Sequence, residues 1–204
     1  MSAPIRVVLA DDERLIRDAL ATLLSLETDI EVVGQAASGT ECLALLTRLK
    51  PDVAVMDLHM PGHNGIEVAA AAIAAEPNLG VIIVTSNGRP GHLKRALVKG
   101  VRGFLPKTTS AAALADAIRK VADGGRYVDP ELAVEAIASG DSPLNGREAD
   151  LLILAEQGAP IEEIASRSHL AAGTVRNYLS SAAAKLGAAN RHEAARIARQ
   201  HGWL

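Results

Sequence analysis

The stretch DVAVMDLHMPGHNG, Asp52 to Gly65, decides how the chain folds. Val53 to Met56 is an unbroken apolar run that stops at a carboxylate, Asp57; Pro61 and Gly62 then turn the chain, and helical spacing begins at Ile66. An apolar run without alternation is buried on both faces, as strands of a parallel sheet are. Working outward, four more such runs occur at Ile5 to Ala10, Glu31 to Ala36, Gly80 to Thr85 and Gly103 to Lys107. Segments with helical spacing follow them in turn: Arg14 to Leu26, Thr40 to Leu49, Ile66 to Ala75, Gly91 to Lys99 and Ser110 to Ala122. Five strand-helix repeats predict an α/β fold, a five-stranded parallel doubly wound sheet of flavodoxin-like order 2-1-3-4-5.

The pattern changes after Gly124-Gly125. Residues 126–142 read as a linker, with a short helical stretch at Pro130 to Ala138 and turn formers in SGDSP. From residue 143 onward no strand-like run occurs, and breaks at Gly158-Ala159-Pro160, Ser168 to Gly173 and Gly187 to Asn190 divide the rest into four helices. The expected organisation is therefore a domain over 1–125, a linker over 126–142 and an all-α domain over 143–204.

A chain of 204 residues, 49% hydrophobic and 22% charged, suits two small soluble cores. No stretch approaches the roughly 20 apolar residues of a membrane span. The start, MSAPIRVVLADDER, lacks the organisation of a signal peptide, which points to the cytoplasm. The single cysteine, Cys42, fits a reducing compartment and helix packing. Residues 143–204 carry seven Lys/Arg against six Asp/Glu, and residues 1–142 fourteen against eighteen. So weak a bias does not by itself indicate nucleic acid; any such reading must come from motif and placement.

In open parallel sheets, chemistry collects beyond the carboxyl ends of the strands. Those ends carry Asp11-Asp12, Asp57, Thr85-Ser86 and Lys107. Each alone is an ordinary cap or turn former; together they converge on one edge. Clustered carboxylates repel one another unless a cation intervenes, and a hard divalent ion with oxygen ligands, magnesium, is the expected one. Asp57, on the central strand, is the candidate nucleophile toward a phosphoryl donor, with the cation and Lys107 neutralising charge on the transferring oxygens. The turn ADDERL has neither the glycines of a phosphate-cradling loop nor the D-x-D-x-T run of aspartyl phosphatases, so hydrolytic or nucleotide-binding enzymes on this fold are disfavoured and no enzyme is expected.

The motifs VVLADDE, DVAVMDLHMPGHNG, VIIVTS and GFLPK resemble the receiver-domain signatures of response regulators, over residues 4 to 125. The resemblance implies Asp57 as phosphoacceptor, Asp12 as direct magnesium ligand, Asp11 as a ligand through water and the His59 carbonyl as a further ligand. It implies Thr85 and Lys107 as the grip on the phosphoryl group and Phe104 as the switch aromatic. His59 and His63 lack the helical spacing of a zinc site and read as loop residues.

In the C-terminal part, a helix from Ile161 to Arg167 turns through Ser168 to Gly173 into a second from Thr174 to Leu186. Val175, Leu179, Ala182 and Leu186 fall on one face, and Arg176, Asn177, Ser180 and Ala184 on the other. Arg and Asn at the start of such a helix can pair with guanine and adenine in a major groove, although a merely solvated face would look the same. LNGREADLLILAEQG and IEEIASRSHLAAGTVRNYLSSAAAKLGAANRHEAARIA resemble the four-helix DNA-binding domain of the NarL/FixJ (LuxR-type) regulators. By that resemblance Arg176, Asn177 and Ser180 read bases, Thr174 and Lys185 contact phosphates, and Arg191 to Gln200 supplies a dimer face. Asn145-Gly146 in place of Thr-Pro, and Ala171 in place of a capping Ser, depart from the family pattern. RPGHLKRAL, TVRNYL and the terminal GWL resemble the branch that contains the desaturase regulator DesR.

The expected function is that of a two-component response regulator. A sensor histidine kinase, or a small phosphodonor, phosphorylates Asp57 with magnesium; homodimerisation and promoter DNA binding follow, with RNA polymerase a further candidate partner. The alternative on the same fold is a phosphorylation-independent DNA binder with a vestigial receiver.

Overall fold

The computed structural model describes residues 3–61, 64–86, 88–138 and 140–204. The chain divides into two compact units, 1–88 with 96–129 and 89–95 with 130–204. The first begins β1 (Ile5–Ala10), α1 (Arg14–Leu24), β2 (Ile30–Ala36), α2 (Gly39–Leu49), β3 (Val53–Asp57) and α3 (Gly65–Ala75). It continues through β4 (Gly80–Thr85), α4 (Pro90–Val98), which the division crosses, β5 (Gly103–Pro106), α5 (Ala111–Ala122) and β6 (Tyr127–Val128). Then come α6 (Pro130–Ala138), α7 (Gly146–Glu156), α8 (Ile161–Ser168), α9 (Ala172–Lys185) and α10 (Arg191–Gln200).

The sheet is parallel, in the order β2-β1-β3-β4-β5-β6. It has six strands where the sequence pattern leads to five. The extra strand, β6, is two residues long and pairs Tyr127 with Gly103 and Val128 with Phe104. Two residues have no periodicity to read; the ladder makes them a strand, with the Tyr127 N–H on the Arg102 carbonyl at 2.9 Å and the Asp129 N–H on the Phe104 carbonyl at 3.1 Å. Both β6 and α6 fall in the segment read as a linker.

Side chains alternate across the sheet. Val7, Leu9, Val53, Val55, Ile82, Val84 and Leu105 form one core with Leu114, Ile118 and Val121 of α5 and Leu24 of α1. Asp57 is in phase with Val53 and Val55, whereas Ile83, Thr85 and Phe104 belong to the opposite face. One glycine fixes how closely α3 approaches the end of β3. A Cβ on Gly65 would lie 2.2 Å from the Asp57 carbonyl oxygen, and its amide donates to the Leu58 carbonyl at 2.8 Å.

The second unit's α7 to α10 enclose a core of Leu151, Leu152, Ala155, Ile164, Val175, Leu179, Ala182, Ala194, Ala195 and Ala198. Alanine lets these short helices come close. The α8–α9 turn passes through His169 in the left-handed region, φ 54°, and the Leu170 N–H closes on the Ala165 carbonyl at 2.9 Å. As the sequence suggested, Ala171 gives α9 no side-chain cap, a loss of about 1 kcal/mol. Asn145 and Glu148 instead give α7 a full capping box.

Replacing Gly65 with alanine must push α3 away from β3. Urea unfolding is expected to show Gly65→Ala destabilised by about 1–3 kcal/mol, as overpacked sites are; an unchanged midpoint would mean that the contact relaxes freely.

Candidate functional site

The strand ends bring Asp11, Asp12, Asp57 and Lys107 together. One carboxylate oxygen from each of the three aspartates lies within 4.8 Å of the others. Asp11 and Asp57 are buried and Asp12 is exposed. The Lys107 ammonium sits 2.8 Å from Asp11 Oδ2 and 3.3 Å from Asp57 Oδ2. It is also 2.8 Å from Oε1 of Glu13, a residue the sequence reading passed over although it adjoins the aspartate pair.

The surrounding backbone holds these groups in place. The Asp11 N–H bonds the Ala36 carbonyl at 3.1 Å, its Oδ1 accepts the Glu13 N–H at 2.9 Å, and Arg17 donates to its carbonyl. The Lys107 N–H donates to the Thr85 carbonyl at 2.8 Å, so the ends of β4 and β5 are joined beside the acidic cluster. Thr85 and Phe104 are fully buried. Ile83 pairs with Phe104 and Thr85 with Pro106, which places Thr85 and Phe104 on the same sheet face, one alternation apart. His59, two residues past Asp57, makes an isolated bridge with Asn64, the residue that caps α3. His63 lies outside the described residues.

Burial pushes the Asp57 carboxyl up to about 6, with Lys107 opposing the rise and Asp11 adding to it. Burial also works against the Lys107 ammonium, yet its hydrogen bonds to Asp11 and Glu13 and the charge of Asp57 hold its pKa above the ordinary value. This is an under-neutralised anionic pocket, and its donors are all oxygens. Such a set suits a hard divalent cation.

On α9, Arg176, Asn177, Ser180 and Ala184 are exposed, while Val175, Leu179 and Ala182 are buried and Leu186 half-buried. Thr174 is half-buried at the start of the same helix. Arg176 rests 3.3 Å from Glu162 of α8, an exposed pair worth little to stability. Lys185 is held by Glu148, which is 1% exposed; that carboxylate accepts from Lys185 Nζ at 2.8 Å, Ser181 Oγ at 2.7 Å and the Asn145 N–H at 2.7 Å. Burial works to raise the Glu148 pKa, but the bonds from Lys185, Ser181 and Asn145 keep it below the ordinary carboxylate value. The sequence reading missed Glu148, although the spacing Asn145-x-x-Glu148 is a capping-box signal.

Residues 7–119 match the family described as the response regulator receiver domain, and residues 142–198 match the bacterial regulatory proteins of the luxR family. The chain is a LuxR-type response regulator. This regulator is 42% identical over 200 residues to the uncharacterized transcriptional regulatory protein YvfU of Bacillus subtilis, covering 98% of this chain and all of YvfU. It is 39% identical to the transcriptional regulatory protein DesR of the same organism, covering 98% and 99% of the two chains. Among solved structures, the complex of the two-component response regulator RcsB with DNA aligns with a TM-score of 0.64 at 25% identity, over 96% of this chain and 98% of that one. Among the described residues, no helix of the regulator is long and apolar enough to cross a membrane.

Two titrations test these environments. Asp57 takes up its proton near pH 6 when folded and near 3.8 when unfolded, so the folded state binds more protons between those values. Stability should therefore fall as pH rises from about 4 through 6, by about 2–3 kcal/mol in all. Urea unfolding in EDTA should show that fall in the wild type and not in Asp57→Asn; parallel profiles would contradict the assignment. Glu148 has the opposite sign, since its lowered pKa adds stability above its ordinary value of 4.5 that is lost below it. Glu148→Gln is expected to cost about 1–3 kcal/mol near neutrality, and the gap to wild type should close as the pH drops below 4.5.

Proposed function

We propose that the receiver is switched by phosphorylation of Asp57 and that the switch controls dimerisation and promoter binding. A sensor histidine kinase is the donor. An ionised Asp57 oxygen attacks the phosphorus of the kinase's phosphohistidine; the new P–O bond forms as the P–N bond breaks, and the histidine leaves with the electron pair. The observation that carries this reading is the Lys107 ammonium lying between Asp11 and Asp57, with Asp12 completing the cluster.

Magnesium fits the all-oxygen pocket: Asp11, Asp12, Asp57 and the His59 carbonyl would hold it, and once bound it would screen the negative charge of the transferring group. Lys107 shifts from its carboxylates toward the phosphoryl oxygens and stabilises their charge. Thr85, tied through its carbonyl to Lys107, offers its hydroxyl to the same oxygens. Phe104, buried on the same face, turns as Thr85 moves and carries the change to the receiver surface.

In the C-terminal domain Arg176, Asn177 and Ser180 read base edges while Thr174 and Lys185 contact phosphates. The DNA complex formed by RcsB supports this use of the domain. Helix α10 is the dimer face. Two linked domains then engage two half-sites far more tightly than one, because the second contact is intramolecular. The regulator works in the cytoplasm, with RNA polymerase as a downstream partner, and takes part in its own phosphorylation without being an enzyme in the usual sense. The domains are taken as 1–125 and 143–204, joined by 126–142.

Sedimentation with magnesium, with and without acetyl phosphate, tests the switch. Wild type is expected to pass from monomer to dimer and to take up phosphate, whereas Asp57→Ala does neither. Equal uptake by the variant would remove Asp57 from its role; a phosphorylated wild type that stays monomeric would refute the dimer switch.

A further inference from the structure

Beside the exposed face of α9 lies an open concavity of about 530 Å³, bounded on its other side by the α9–α10 loop and the start of α10. Arg176 and Ser180 form one wall, Asn190 and Arg191 the other, and Ala184 and Ala188 lie between them. Methyl groups leave this trough unfilled, and no acidic side chain lines it. Two carboxylates bond residues of the lining: Glu162 pairs with Arg176 at 3.3 Å, and Glu193 accepts the Ala189 N–H at 2.8 Å and faces Arg196 at 3.7 Å. Asn190 spends its side-chain oxygen capping α10, accepting from His192 and Glu193 N–H groups at 3.0 Å. Arg191, half-buried, donates among the described residues only to the ring nitrogen of His192, at 3.3 Å. Its charge has no carboxylate partner among the ion pairs of the described residues.

We infer that this trough receives one sugar–phosphate strand of the duplex whose major groove α9 enters, with Arg191 as a phosphate-contacting residue. The inference rests on the DNA-reading role proposed for α9. An arginine on each wall supplies the complementary charge. The alanine floor admits a chain of sugars without polar groups that would be left unpaired. Arg176 faces both the trough and the groove and reads a base, whereas Arg191, on the far wall, meets only backbone. It therefore adds affinity without sequence preference.

The test is the salt dependence of binding to a random-sequence 30-base-pair duplex, using the full chain with magnesium and acetyl phosphate. Each phosphate contact contributes about 0.9 to the slope of log affinity against log salt. Arg191→Gln is expected to lower the slope by about one per DNA-binding domain, so that between 50 and 200 mM salt the affinity of the dimer falls about tenfold less than that of wild type. Arg191→Lys should keep the slope, which separates lost charge from lost folding. Arg167→Gln removes an equal charge outside the trough, on α8 where Arg167 pairs with Glu163, and should leave the slope nearly unchanged. Equal slopes for wild type and Arg191→Gln, or equal losses for the Arg191→Gln and Arg167→Gln variants, would overturn the inference while leaving DNA binding intact. No binding by wild type would instead overturn the DNA-reading role on which it depends.

Discussion

The receiver is organised around one electrostatic constraint: a carboxylate buried at the end of its central strand, with a single ammonium to answer it. Lys107 meets three carboxylates, from Asp11, Glu13 and Asp57. One positive charge cannot neutralise three, and burial leaves Asp57 titrating near 6. The site is thus held short of charge balance, a condition that favours a divalent cation among its oxygens. Strand order makes this possible, because β3 lies between β1 and β4 and every neighbouring strand end contributes a polar group. The close approach of Gly65 to the Asp57 carbonyl and the bond from Lys107 to the Thr85 carbonyl keep those ends from spreading.

The helical domain solves a similar problem differently. Glu148 is as deeply buried as any charge among the described residues, yet three donors satisfy it. It closes the cap of α7 and at the same time grips the C-terminal half of α9 through Ser181 and Lys185. A saturated buried carboxylate is a structural pin; an under-neutralised one is a place for chemistry. The contrast between Glu148 and Asp57, one lowered and the other raised in pKa, separates scaffold from site more clearly than residue type does.

Much of this was legible in the sequence because it depends on local pattern. Apolar runs ending in Asp11-Asp12, Asp57, Thr85 and Lys107 give both the sheet and the pocket, since a parallel strand buried on both faces must carry its polar residues at its ends. What escaped depends on partners distant in sequence. The strand at Tyr127–Val128 exists only because β5 offers a free edge. Glu13 reaches Lys107 across 94 positions and Glu148 reaches Lys185 across 37, and no spacing rule covers such pairs. His169 adopts a left-handed conformation at a position where glycine or asparagine would have announced the turn.

If α9 reads bases as proposed, its Arg176 is held ready without being sequestered. Glu162 orients the Arg176 guanidinium at 3.3 Å, but both side chains are more than half exposed. Such a pair contributes about 0–1 kcal/mol, less than the roughly 1–3 kcal/mol that a bidentate contact to a matching base returns. A matching base can therefore displace the carboxylate, and a poor match leaves the arginine where it was. Had Arg176 been pinned as Lys185 is pinned by buried Glu148, the exchange would have required breaking a saturated network. Lys185 needs no such exchange: its ammonium has three N–H donors, so it can meet a phosphate while Glu148 still holds it.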